Sequence, residues 1–454
     1  MVNFKQFFRA TAPDKSLDIQ IPEQAEMYVD FTEVRGGETI RTIRNGINLS
    51  EDDWKSILFT GHIGCGKTTE LLKLKAQLEE DGWQVIYLQS DDYLEVSDVD
   101  IVDVLLAIAT GIIEGLEAAS LQLQPQGMQK LLQDVWQVFN AEVTGINLDL
   151  DKTPLGKVMP LGKLGMKKDG DNFSLSLAFA EITAKAKQDS RLREQLNRYL
   201  APKKTELIKG INEELLKPAS AALQKQGKEG LVTIVDNLDR ITNTPKPWGI
   251  SQQEYLFADQ GQFLTQLDCH VVYTMPLSLM YSPAYNLVTQ RFGQDVKVLP
   301  MVQILERDGA LHRPGLAKLQ EMSLKRACLG CAPGESESLI GEIFGSADLL
   351  QEMCRLSGGH VRDLLRLLNA WIIEEGQLPL SQAALQKVVV GMRDSMARAI
   401  SAKELEALRE VAVTQRVSDD EGYQMLIRGR YVCEFMDERG SWCCVNPILE
   451  SLLQ

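Results

Sequence analysis

The sequence predicts an α/β fold: a parallel sheet wrapped by helices, followed by a helical stretch and a small terminal module of helices and a hairpin. Three observations predict it. Residues 57–95 run as a short β-rich segment (ILFT), a glycine loop opening a helical pattern (GHIGCGKTTELLKLKAQLEEDG) and a second β-rich segment (WQVIYLQ), an order that makes parallel neighbours under a covering helix. Further buried-strand runs follow at GLVTIVDNLDRI (230–241), CHVVYTMP (269–276) and VKVLP (296–300). Near the end, RYVCEFM and SWCCVNP flank the polar turn DERG after three helical patterns, which reads as a winged-helix-like module.

Taken in order, residues 1–56 form an N-terminal segment. Phe4, Phe7 and Phe8 make an apolar cluster, Met27, Val29 and Phe31 alternate as in a short strand, and GETIRTIRNGINL reads as a helix. Residues 57–300 form the core, carrying a helical insertion at about 96–229. Within the insertion, MQKLLQDVWQVFNAEV and two stretches from Phe173 to about Gln226 have helical spacing, while Gly145 to Asp171 reads as a hairpin or a mobile loop. Residues 301–378 are a helical lid and 379–454 the winged-helix-like module.

The 454 residues suit about three domains at ~150 residues each. With 44% hydrophobic and 24% charged residues, the chain is neither disordered nor collagen-like. The net charge of −15 weighs against a protein built to coat nucleic acid. Eight cysteines are too few for a disulfide framework and suggest reduced thiols and a cytoplasmic protein. No signal peptide is expected. The most apolar helical stretch, Val104 to Ile113, is too short for a bilayer, which needs ~20 residues, so no membrane is expected.

The most specific motif is Gly61-His62-Ile63-Gly64-Cys65-Gly66-Lys67-Thr68, with Thr69 following: G-x-x-x-x-G-K-[ST] between a strand and a helix. Glycines let backbone N–H groups wrap phosphates at a helix N-terminus, where the helix dipole favours anions. Lys67 reaches the β- and γ-phosphates in such a loop, and Thr68 supplies an oxygen to Mg²⁺. The run from Leu231 to Asp236 is a buried strand ending in a carboxylate, the Walker B pattern, which assigns Asp236 to the metal. Asp239, three residues on, is the candidate to polarise an attacking water, with Arg240 setting its charge environment. Thr274 closes the strand of CHVVYTMP, where a hydroxyl meets the γ-phosphate or the water. In the lid, SGGHVRDLLRLL opens a helix with Val361, Leu364, Leu365, Leu368 and Ile372 on one face and Arg362, Arg366 and Asn369 on the other; Arg362 is the candidate to read the γ-phosphate.

These motifs, in this order, resemble AAA+ and STAND-type P-loop ATPases, and the form V-D-N-L-D-R is most similar to the KAP-like and STAND branches. The resemblance covers about residues 20–375 and, loosely, the terminal module. It implies an ATP-binding, ATP-hydrolysing regulatory switch that uses Mg²⁺ and alternates between ATP and ADP states. It also implies control of homo-oligomerisation or protein-partner binding, in a bacterial defence or signalling setting. An alternative stays open: a DNA-linked ATPase of initiator or transposition type using its winged helix. Residues 401–454 hold ten acidic and six basic residues, which disfavours that alternative. The resemblance also places Arg35 and Val29 to Phe31 beside an adenine pocket. It leaves Arg291 as an unassigned trans-acting arginine. One departure stands out: Asn237 occupies the place of the usual catalytic glutamate, and an amide cannot act as a general base.

Cys328 and Cys331 have zinc-like spacing without a second pair, so no structural zinc is assigned. The acidic run 91–103 reads as a solvated edge or a docking surface for a basic partner.

Overall fold

A computed structural model of the chain describes residues 2–50, 53–121, 135, 175–330, 335–417 and 421–453. Most of the expected helix at 128–143 and the whole of the glycine-rich stretch to Asp171 lie outside them.

Five strands form one parallel sheet: β1 (Ser56–Thr60), β2 (Gln84–Gln89), β3 (Leu231–Asp236), β4 (His270–Thr274) and β5 (Lys297–Val298), in the spatial order β2-β3-β4-β1-β5. Strands β1, β3 and β4 are buried along their whole length, as expected of a parallel sheet covered on both faces. On one face pack the P-loop helix (Lys67–Glu80) and the helix Thr39–Asn48, through Ile40, Ile43, Ile47, Leu71, Leu74 and Leu78. On the other lies the apolar helix Ile101–Ala118, started by a capping box from Asp100 and Asp103. Its small residues set the approach to the sheet: a β-carbon on Gly115 would come within 2.9 Å of Ile86. Each Leu or Ile side chain so buried contributes roughly 1.5–3 kcal/mol.

The interposed β4 matters for the site. It pairs with β1 on one side (Phe59 opposite Thr274) and with β3 on the other (Val235 opposite Tyr273), so three strand ends open on one edge. Ligands of open α/β sheets bind at the carboxyl ends of strands.

The lid helices include Arg313–Ala327, Ala347–Leu356 and Val361–Glu375. Helices Gln382–Ala397, Ala402–Thr414 and Glu421–Arg428 then precede the antiparallel hairpin of β6 (Val432–Asp437) and β7 (Gly440–Val445). The hairpin is shared between two cores. Cys433, Phe435 and Trp442 join the lid residues Leu364 and Leu368, while Val432, Cys443 and Val445 pack with Leu408, Val411 and Leu426.

Two local expectations are corrected. Residues 27–31 are not a strand; Val29 and Phe31 are held in the lid core and lead into a 3₁₀ turn, Thr32–Val34. The strand expected over 296–300 is regular only at Lys297–Val298, and residues 301–312 cross to the lid without a helix. In the acidic run Asp92 and Asp98 are exposed, and several carboxylates pair with neighbours: Asp91 with Arg240, Asp98 with Lys246 and Arg193, while Asp100 accepts from Tyr255.

A candidate nucleotide site at the strand ends

The glycine loop leaves β1 and enters the P-loop helix with Gly64 at φ +95° and Gly66 at φ +106°, conformations that L side chains rarely adopt. At Gly64 the requirement is also steric. A β-carbon there would lie 2.8 Å from the Arg362 Cβ and 2.9 Å from the His360 ring. The lid thus rests directly on the loop. The Arg362 backbone N–H donates to the Gly64 carbonyl (3.1 Å), and His360 Nε2 hydrogen-bonds the Ile63 carbonyl (2.9 Å).

Lys67 is 6% exposed and its ammonium is fully engaged, donating to the Gly61 and His62 carbonyls (2.8 and 3.0 Å) and pairing with Asp239 (2.9 Å). Burial alone would lower its pKa; the Asp239 charge reverses this, and the net direction is up. Thr68 Oγ1 donates to Asp236 Oδ2 at 2.7 Å. The same oxygen accepts the Tyr87 hydroxyl at 2.6 Å, while Oδ1 accepts the Asn237 backbone N–H at 2.7 Å. Burial and the nearby Asp239 charge hold the Asp236 carboxyl above the usual carboxylate range, against the pull of those donors. A carboxylate and a hydroxyl, both oxygen donors side by side at the head of the loop, fit Mg²⁺, which binds through one or two protein oxygens plus substrate phosphates. Among the described residues no cluster of three His, Cys, Asp or Glu forms an all-protein metal cage.

Asn237 has φ +68° and turns its amide away from the loop, to Asp91 (2.6 Å) and Gln89 (3.3 Å). The next carboxylate, Asp239, comes back on a 3₁₀ turn and takes the position beside Lys67. Thr274 is fully buried, its hydroxyl donating to the Val235 carbonyl (3.4 Å), so it is tied to β3 rather than open to the loop. Thr69 Oγ1 accepts the Leu17 N–H (3.2 Å), and Cys65 is buried beneath the loop. Ile63, at the loop tip, is half exposed.

Arg362 has no hydrogen bond or ion pair from its guanidinium among the described residues, and its side chain lies along Gly64. Burial and the positive charges of Arg240, Arg366 and Arg430 push its pKa down. Arg430, itself at φ +58°, reaches in from the terminal module to Asp363 (2.5 Å), which also holds His360 and Arg366.

Sequence reasoning missed two groups. Tyr87 is one; its only signal was a polar aromatic inside WQVIYLQ. The other is Glu434 of β6, buried and facing His62 across 3.9 Å. Burial pushes Glu434 up and drives His62 down to about 3. Arg35 is 3% exposed and donates to the Cys65 carbonyl (2.7 Å); its Nε and Nη1 are buried with no hydrogen-bond partner among the described residues, and the residue borders a cavity of about 430 Å³. That cavity is also lined by Asp30, Thr39, Ile40, Glu70 and Leu299. Val29 and Phe31, expected there, are packed in the lid core instead. Arg291 is exposed on the helix Tyr285–Phe292. Cys328 is buried and its partner in spacing, Cys331, lies outside the described residues.

No protein-family model matches the chain, and no curated protein matches it. Solved structures with a similar course include Cdc6p from Pyrobaculum aerophilum, at 11% identity over 98% of this chain and 95% of that one, with a TM-score of 0.37. They also include the Aeropyrum pernix ORC2 protein in ADPNP–ADP complexes, at 11% identity over 98% and 97%, with a TM-score of 0.39. A third is a Walker-type ATPase of Pyrococcus abyssi, at 12% identity over 91% and 94%, with a TM-score of 0.40. At that distance the likeness carries no functional weight. Among the described residues no helix is long and apolar enough to cross a membrane.

Proposed function

We propose that the chain is an ATP-binding and ATP-hydrolysing switch of AAA+ or STAND type, in which the nucleotide controls how the lid and the terminal module sit on the P-loop. The observation that carries this reading is the unpaired Arg362 guanidinium, held against Gly64 among three further arginines. Those three are ion-paired within the chain, so it is the unmatched guanidinium of Arg362 beside the glycine loop that suits a phosphate.

In this reading the backbone N–H groups from His62 to Thr68 bind the phosphates, and Lys67 leaves Asp239 for the β- and γ-phosphates. Thr68 and Asp236 would hold Mg²⁺, which neutralises charge developing on the phosphates when bound. Freed from Lys67, Asp239 accepts a proton from the attacking water, the role Asn237 cannot fill. Arg362 donates to the γ-phosphate and so reports its presence to the lid helix. The base occupies the cavity bordered by Arg35, whose polar lining also includes Asp30, Thr39 and Glu70.

The output runs through the hairpin. Glu434 faces His62 of the loop, and Arg430 is paired to the lid beside Arg362, so phosphate entering the loop disturbs both contacts of the terminal module. Change of that seating is the step we assign to control of oligomerisation or of a protein partner. The packed hairpin speaks against the DNA-linked alternative, because β6 is buried over most of its length and Arg430 is spent on Asp363.

The test is a fluorescent-nucleotide titration of wild type and Lys67→Ala, combined with light scattering in ADP and in a non-hydrolysable ATP analogue. Saturable binding lost in Lys67→Ala, with a nucleotide-dependent change in mass or hydrodynamic radius, is expected. Unchanged binding in Lys67→Ala overturns the site; identical hydrodynamics in all states overturns the switch.

A further inference from the structure

Asp236 meets Thr68 at the head of the loop, and one of its oxygens accepts two side-chain hydroxyls. Thr68 donates to Oδ2 from the P-loop helix at 2.7 Å, and Tyr87 donates to the same atom from β2 at 2.6 Å. Tyr87 therefore touches the carboxylate oxygen that Thr68 also touches, from a strand that carries neither group.

The sheet explains why Tyr87 can do this. β2 is an edge strand paired only with β3, in the register Gln89 opposite Asp236 and Tyr87 opposite Ile234. Side chains two apart share a face, so Tyr87 and Gln89 lie on one face of β2. Gln89 accepts the turned-away Asn237 amide, and Tyr87 takes the carboxylate. A phenol has one proton to give, and here it is spent on Asp236.

We propose that Tyr87 is a positioning residue for the metal: it fixes the Asp236 carboxylate so that Oδ2 stays aligned with Thr68 when that threonine turns a lone pair to Mg²⁺. A threonine hydroxyl has one proton and two lone pairs, so it can ligate a cation while still donating to a carboxylate. It holds both partners only if the carboxylate stays put. Removing the phenol oxygen leaves Oδ2 with the single side-chain donor Thr68, while the Asn237 N–H still holds Oδ1, so the carboxylate is less firmly fixed on the metal side. Groups that orient metal ligands from outside the ligand set typically matter 10–100-fold in metal affinity.

The inference rests on the nucleotide reading, and one experiment separates the two. Affinity for a fluorescent ATP analogue is measured for wild type and Tyr87→Phe in EDTA and across a Mg²⁺ series. Free Mn²⁺ is followed by its EPR signal in the presence of nucleotide. Tyr87→Phe keeps the ring, so its melting temperature checks the fold. The expected result is equal affinity in EDTA and a metal midpoint raised about 10-fold or more in the variant, with Asp236→Asn showing a larger loss. An unchanged metal midpoint overturns the positioning role. Equal weakening in EDTA and in Mg²⁺ also overturns it, by showing that the phenol serves packing alone. Wild type that binds no nucleotide under any condition overturns the nucleotide reading and the inference with it.

Discussion

Lys67 and Asp239 form a buried ion pair at 2.9 Å, each about 5% exposed, so the lysine meant for phosphate is already matched to a carboxylate of the chain. Phosphate and Asp239 therefore compete for one ammonium. Asp239→Asn is expected to bind nucleotide about tenfold more tightly, a gain of about 1.4 kcal/mol in affinity, and to lose most of its turnover. Nucleotide titration with a phosphate-release assay checks both.

Removing the other partner has a different signature. Lys67→Ala is expected to abolish nucleotide binding and also to leave Asp239 buried and uncompensated, a change that typically costs about 3–5 kcal/mol. Denaturant unfolding is expected to show that loss. The double variant Lys67→Ala, Asp239→Ala is expected to recover much of the stability and none of the binding. A stable single variant would show that the pair is not closed in solution.

Arg362→Ala separates two nucleotide states. Among the described residues the guanidinium has no hydrogen-bond or ion-pair partner to lose, so only packing along Gly64 is given up and stability is expected to fall by no more than about 1 kcal/mol. Affinity for ADP is expected to hold, and affinity for a non-hydrolysable ATP analogue to fall about 10-fold or more, the scale of one charge-assisted hydrogen bond to phosphate. Paired calorimetric titrations read the difference.

Gly64→Ala tests the seat of the lid on the loop. The new methyl meets Arg362 and His360 at under 3 Å, in a backbone conformation that disfavours any side chain. Expected are a destabilisation of roughly 1–3 kcal/mol and faster hydrogen exchange at the start of the helix Val361–Glu375.

A pH effect sits far from the nucleotide. Burial of Asp103 raises its pKa to about 7, against the donors Asp100 N–H and Asn197, and its Oδ1 is unpartnered. An acid with a raised folded pKa costs stability where it must ionise. Stability attributable to this group is therefore lowest above about pH 7 and recovers as pH falls toward its unfolded value near about 4. Asp103→Asn is expected to stabilise the protein at pH 8 and to remove that difference at pH 4.5, read from paired unfolding curves.

The site was legible in the sequence where chemistry is local. Glycines, lysine and threonine at fixed spacing announce a phosphate loop, and a buried strand ending in Asp236 announces a carboxylate at a sheet edge. What was not legible depends on backbone sign and on packing between remote segments. The amide of Asn237 points away because its φ is +68°, a choice invisible in the letters V-D-N-L-D. Tyr87 counted as strand interior until the register placed it beside β3. The alternation at Met27, Val29 and Phe31 resembles a strand because Val29 and Phe31 are buried, but they are buried by the lid and not by a ladder.

The contact of His360 with the Ile63 carbonyl spans 297 residues of sequence. Contacts this remote close late, because the chain entropy of a long loop must be paid before the contact rewards it. On a ribosome the P-loop emerges long before the lid and hairpin that rest on it. A newly made core thus has its phosphate loop uncovered for most of synthesis, and a nucleotide captured then would be enclosed as the later segments dock. On the proposed function, maturation would in that sense be a matter of timing: the ligand present during assembly would select the first state the finished molecule occupies.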